Sequence, residues 1–403
     1  MADQADASTL PASAAADARI EWAYLHFGFI LIGISMTMLG PILPYFTQHW
    51  SLTASQAGIF FTALYFSSFL GTLLTSSALP RYGFARIISA GHLCFAIGLA
   101  LLGLGPWYLS IGFMAIYGLG YGFANPSVNL RATQLPSKNV AAAVGLLNFS
   151  WGIGAVLSPV LVTFFLGHLS LRALTLALSA GFLTLSILHY LRRGDATASA
   201  DSRPRRSFAD WRARLQPAPW LSLTQLFFFY VGVEISVGGW VALDAKNMAG
   251  ITPALMAAAP SFFYGFLLLG RFLMPLALKR FTQRAICLSG LALAAFGVSV
   301  IILAHTPVPL YVGAVMAGFG CAPQYPIYVT WVAAIFRDDS TWLGALFFGA
   351  AGLGSSFLPW LVGVIATGTH SLKLGFLVPL ACALWMVPSV LRACPKPAAP
   401  AAA

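Results

Sequence analysis

One carboxylic acid lies where water cannot solvate it cheaply. From Trp220 to Leu243 the chain is almost entirely apolar, and Glu234 interrupts it within YVGVEISVGGW (230–240). Counted from Trp220, Glu234 stands about 21 Å along a helix rising 1.5 Å per residue. A charge at the centre of a bilayer costs about 2.5–3.5 kcal/mol on insertion scales. Glu234 is therefore expected to face an interior cavity. Burial disfavours the charged form of a carboxyl, which suits such a group to taking up and releasing a proton. When ionised it can also accept hydrogen bonds from a solute. Tyr230 and Gly238, four residues to either side, share its helix face. Gly238-Gly239 predicts a loosened helix beside the site, with Trp240 above it. The competing expectation is structural: a fixed pair with Arg271, or capping of backbone groups at the glycine pair.

Other polar side chains recur at helical spacing. Tyr121, Asn125 and Asn129 form one stripe, Asn148 and Trp151 a second, and Gln324, Tyr328 and Trp331 a third. Amides beside flat rings suit a sugar, since amides bond hydroxyls and rings cover the apolar faces of a pyranose. The bland alternative for the amides is hydrogen bonding between helices. Arg271, in LLLGRFLMP, is the only base inside an apolar run. Its expected place is an inner gate, where it snorkels or bonds carbonyls. An anion-binding role is the sharper alternative.

These residues must be positioned by membrane helices. The chain has 403 residues, 59% hydrophobic and 8% charged, whereas a water-facing domain carries about 25% charged residues. About twelve apolar runs recur, near 22–46, 57–79, 84–104, 108–131, 140–166, 171–191, 219–243, 257–278, 285–304, 309–334, 341–366 and 372–391. Each can cross roughly 30 Å of hydrocarbon. Backbone groups in lipid must be satisfied within the segment, so the runs are helices. The expected fold is an all-α membrane protein.

The net charge of +11 is topological. Of the 22 Lys and Arg, only Arg172, Lys246 and Lys373 fall in segments on one side, Arg271 lies within a run, and the other eighteen fall on the opposite side. Basic residues mark the cytoplasmic face, so both termini are expected there. No nucleic-acid partner is implied. The five cysteines form no CxxC pair, and neither a metal site nor any cofactor is expected.

The chain divides into residues 1–18, read as a disordered tail; 19–191, a first six-helix half; 192–218, a cytoplasmic linker; 219–392, a second half; and 393–403, another tail. Within the linker, Phe208, Trp211 and Leu215 at helical spacing among arginines suggest a short amphipathic helix on the inner leaflet; a solvated basic linker is the alternative. The halves repeat. GLGYGFANP (118–126) matches GFGCAPQYP (318–326), and GIGAVLSP (152–159) matches GLGSSFLP (352–359), both 200 residues apart. At an offset of 199, Gly33 falls on Gly232 and Ser35 on Glu234. Internal duplication of this kind is frequent in secondary transporters, with the solute site near midplane between halves.

On these features the chain resembles the major facilitator superfamily. The loop after the second helix in that family reads G-x-x-x-D-R-x-G-R/K-R/K. Here Arg81 and Gly83 match while Pro80 replaces the acid. The resemblance implies gating roles for Arg81 and Arg86, and Arg131 is grouped with them. Five segments resemble the fucose-permease-like branch: ANPSVN (124–129), LLNFSWGIG (146–154), FYVGVEISVGGW (229–240), GCAPQYPIY (320–328) and GLGSSFLPWLVG (352–363). The acids of fucose permease in its first and fourth helices fall on Gly40 and Tyr121 here, so its substrate and proton path do not carry over.

No P-loop, HExxH or G-x-S-x-G motif is present, and nothing argues for an enzyme. The expectation is a monomeric secondary transporter of a small polar solute, a sugar first, coupled to protons through Glu234. Its place would be the bacterial inner membrane. A drug or lipid exporter of the same fold and an uncoupled facilitator are the alternatives.

Overall fold

The computed structural model describes residues 12–137, 140–192, 217–246, 248–336 and 340–394. The linker helix expected around Trp211 lies outside them. All regular structure among them is helical: α1 (Ala12–His49), α2 (Ala54–Leu101), α3 (Trp107–Gln134), α4 (Val140–His168), α5 (Leu171–Leu191), α6 (Pro217–Ala245), α7 (Pro253–Ala277), α8 (Gln283–Leu303), α9 (Pro307–Cys321), α10 (Gln324–Phe336), α11 (Ser340–Thr369), α12 (Leu372–Gly375) and α13 (Leu377–Ala393). α1 begins at Ala12, inside the stretch expected as a tail.

Nine described segments are long and apolar enough to span a membrane, with hydropathies of 1.5 to 2.5. Three details bring the crossings to twelve. α2 is two helices joined at Gly83, whose φ of 78° and ψ of 170° are non-helical; only glycine adopts that geometry freely. α3 adds another crossing, and α9 with α10 forms one crossing broken at Ala322-Pro323. Helix starts follow capping chemistry. Thr53, Ser170, Thr252 and Thr282 each accept a backbone N–H at the first turn of α2, α5, α7 and α8, satisfying donors that the helix itself leaves unpaired.

The two halves pack through α1 on α6, α2 on α11 and α4 on α7. Four hydrogen bonds join described residues of the two halves, and all lie toward the end opposite the chain termini. Ser55 N donates to Thr367 Oγ1 (2.8 Å), Thr62 Oγ1 to Ser356 O (3.0 Å), Thr163 Oγ1 to Ala254 O (3.5 Å) and Lys246 Nζ to Pro44 O (3.4 Å). That far end is closed further by backbone contact: a β-carbon on Gly40 would stand 2.5 Å from Gly238 O.

Candidate functional site

Glu234 is buried in α6 at 6% exposure, and its nearest partner comes from the same helix. Tyr230, one turn earlier, donates its phenol O–H to Glu234 Oε2 at 2.5 Å. The second partner comes from α7. A side chain at Gly270 would collide with Ala322 Cβ at 2.5 Å, so glycine lets α7 press against the break between α9 and α10. Arg271 is thereby brought to α6. Its Nη2 donates to Tyr230 Oη at 3.2 Å and stands 3.5 Å from Glu234 Oε2. That last distance is longer than the 2.7–2.9 Å of a charge-assisted bond. Arg271 Nε is buried and makes no hydrogen bond to the described residues.

Around this triad stand more tyrosines than the sequence stripes suggested. Tyr65 of α2, Tyr121 of α3, Tyr264 of α7 and Tyr325 of α10 all lie close enough to feel the Glu234 charge. The first two belong to one half and the last two to the other, so the acid sits where the halves meet. Tyr230 and Tyr325 have ring centroids 6.1 Å apart. Of these, Tyr65, Tyr264 and Tyr325 escaped the sequence reading. The available signal was a phenol inside an apolar run, whose O–H needs a partner. Tyr325 adjoins Gln324, and spacing alone does not tell which of the two turns inward.

The α10 stripe shares one face as expected, but that face is turned into its own half. Gln324 is fully buried; its Nε2 donates to Cys287 O (3.0 Å) and Gly320 O (3.2 Å), and its Oε1 accepts from Tyr328 (2.8 Å). Trp331 donates Nε1 to Gln283 Oε1 at 2.7 Å. These groups bind α10 to α8, and in this conformation they do not reach the acid. Trp240 is likewise buried, donating Nε1 to Pro359 O at 2.9 Å and packing on Phe61 at 5.8 Å. It joins α6 to α11 at the closed end. The glycine pair before it does not loosen α6, which runs unbroken to Ala245. The glycines instead admit close neighbours: β-carbons at Gly238 and Gly239 would meet Tyr264 Oη and the Phe61 ring at 2.5 and 2.6 Å.

Between α3 and α4 the three asparagines form a ladder. Asn148 Nδ2 donates to Asn129 Oδ1 (2.9 Å) and Val144 O (2.9 Å), and Asn129 Nδ2 to Asn125 O (2.9 Å). Asn148 is also exposed. The Trp151 indole N–H is buried and makes no hydrogen bond to the described residues, while the Trp151 backbone carries the close contact with Gly33.

The remaining arginines lie apart from the acid. Arg81 and Arg86 are exposed beside the Gly83 turn, with Arg81 over the Tyr82 ring at 5.3 Å. Arg131 grips Glu21 through Nε (2.6 Å) and Nη2 (3.0 Å), and Arg192 adds Nη2 at 3.1 Å. Among the described residues no group of three or more His, Cys, Asp or Glu is placed to hold a metal ion.

The family model described as Major Facilitator Superfamily matches residues 25–273. The chain is 21% identical to the sodium-dependent glucose transporter 1A of Mus musculus over 390 residues, covering 85% of this chain and 88% of that one. It is 22% identical to the cis,cis-muconate transport protein of Acinetobacter baylyi over 378 residues, covering 89% and 90%. Among solved structures, the fucose:proton symporter of E. coli superposes with a TM-score of 0.63 at 18% identity, covering 94% of this chain and 99% of that one. At that identity the likeness speaks for the fold.

Proposed function

The chain belongs to the Major Facilitator Superfamily, and on that premise we propose that this multi-pass membrane transporter couples the movement of a small organic solute to protons through Glu234. One observation carries the reading: a buried carboxylate held by one phenol and a loosely placed guanidinium, where the two halves meet. In alternating access the halves rock about a site of this kind. Protonation of Glu234 removes the charge that holds Arg271, so the contact between α6 and α7 changes with proton occupancy. The termini end is assigned to the cytoplasm of the bacterial inner membrane on the positive-inside distribution. The protein works as a monomer, since each chain carries a whole site between its own halves.

A sugar is the second reading. It is favoured by the names of the glucose transporter and the fucose:proton symporter. It is weakened because the Gln324 amide is engaged between helices and the asparagines bond one another and their own helices.

The test is uptake into proteoliposomes under an imposed pH gradient, with labelled glucose and labelled cis,cis-muconate as probes. Glu234→Gln is expected to lose accumulation against a gradient, by about tenfold or more, and to keep counterflow exchange. Accumulation that survives unchanged in this variant removes Glu234 from coupling.

A further inference from the structure

We infer that the solute is a planar organic anion carrying one carboxylate per transported proton, and that Arg271 receives that carboxylate once Glu234 is protonated. The inference rests on the proton-coupled reading above and assigns its substrate class.

The donors around the acid favour an anion. Arg271 offers five N–H donors; among the described residues only Nη2 has a hydrogen-bond partner, Tyr230. Its Nε is buried and makes no hydrogen bond to the described residues, and 28% of its side-chain surface is still accessible. A guanidinium with unused donors in a low-dielectric site is matched by a carboxylate, which accepts two parallel N–H bonds. Tyr230, bonded to Arg271, and Tyr325, whose ring lies 6.1 Å from that of Tyr230, supply flat apolar faces.

Charge balance favours the same solute. As described, the site holds one carboxylate and one guanidinium and is neutral. A proton on Glu234 converts its carboxylate to the acid and leaves Arg271, still partly accessible, without its counter-charge. A neutral sugar would enter a site with that excess charge. A monocarboxylate restores neutrality: the proton stays on Glu234, and Arg271 transfers its contact from Glu234 to the solute. Releasing both returns the starting pair. Each partner's entry thus favours the other's, and one proton with one anion moves no net charge.

The groups facing Glu234 are Tyr65 of α2, Tyr121 of α3, Tyr264 and Arg271 of α7, Cys321 of α9 and Tyr325 of α10, besides Tyr230. α11 has no ionisable side chain, α1 has no acidic or basic residue between Phe27 and Pro44, and α13 offers only Cys382 and, at its end, Arg392. Glu234 is the carboxyl in this group.

The test uses the full chain, with benzoate and cinnamate against benzamide and glucose as probes. Thermal shift over a descending pH series is expected to show carboxylate binding tightening as the pH falls, with no such gain for benzamide or glucose. Arg271→Gln should lose carboxylate binding by about tenfold or more. If that variant does not fold, Arg271→Lys, which keeps the charge but not the fork, should weaken binding and retain its pH dependence. In Glu234→Gln the pH dependence should flatten. Benzoate uptake into proteoliposomes should follow the pH gradient and ignore a potassium–valinomycin potential. Failure of both carboxylates to bind, or equal binding of benzamide, overturns the inference. So does carboxylate binding in the natural chain that is independent of pH. Glucose uptake driven by both pH gradient and potential overturns the anion and leaves proton coupling in place. Uptake of every probe driven by neither removes the coupling on which the inference rests.

Discussion

Two glutamates, Glu21 and Glu234, are each 6% exposed, yet they are bonded differently. Glu21, near the start of α1, receives three charge-assisted bonds of 2.6 to 3.1 Å from Arg131 and Arg192. Glu234 receives one from a phenol, and its arginine stands off at 3.5 Å. A carboxylate that accepts three bonds from two guanidinium groups is a lock, because any change of partner gives up a charge-assisted bond. A carboxylate with one neutral donor and a loose cation has room to change partners. The contrast separates a clamp that ties α1, α3 and the end of α5 together from a site that can respond to a proton or a solute.

The largest expected effect tests that contrast directly. Glu21→Gln leaves two arginines facing each other, and breaking a buried pair costs about 3–5 kcal/mol. The yield of folded protein and its Tm should fall sharply. Glu234→Gln should cost about 1 kcal/mol or less, since its arginine is partly accessible and the phenol bond has an amide to accept it. A larger loss of stability in Glu234→Gln than in Glu21→Gln would reverse the assignment.

The next effect concerns the scaffold beneath both acids. A β-carbon at Gly154 would stand 2.1 Å from Ile30 O, and one at Gly354 would stand 1.9 Å from Phe228 O. These contacts join α1 to α4 and α6 to α11 in the same manner. Gly154→Leu and Gly354→Leu should each destabilise by about 1–3 kcal/mol or more, read as loss of Tm. Unequal losses would mean that the repeated contacts do not serve both halves alike.

Smaller effects separate the two faces of α10. Gln324→Leu removes a buried amide and leaves the Tyr328 hydroxyl unpaired, costing about 1–3 kcal/mol with an unchanged KM for the solute. Tyr325→Ala should show the opposite balance, raising KM severalfold with a smaller change in Tm. The smallest is Trp240→Phe, which loses the bond to Pro359 O, worth about 1 kcal/mol. It should loosen the closed end, seen as faster labelling of a cysteine placed at Ser55 by a membrane-impermeant thiol reagent.

Much of this was legible in the chain. Crossing number followed from hydropathy, because lipid forces each apolar run into a helix. The repeat followed from Gly and Pro at an offset of 200, because close backbone contacts leave no alternative residue. Glu234 and Tyr230 were found by spacing, since one turn of helix fixes their separation. The partner of Glu234 was left between two readings: Arg271 was expected at a gate or in a fixed pair with Glu234, and its approach depends on how closely α7 packs at Gly270 against Ala322. Gln324, Tyr328 and Trp331 were correctly placed on one face, but periodicity does not state what that face touches. The same limit hid Tyr325, and it made Gly238-Gly239 read as a break where the helix is continuous and only tightly packed.

The amino-acid sequence by itself determined the solvent, the helices, their duplication and the one acid deep in an apolar run, all consequences of local composition and helical period. Only the tertiary structure decided which acid is saturated and which is not. That outcome depends on distances between helices far apart in the chain, and those distances are set by packing at glycines and at a helix break, not by spacing along any one segment.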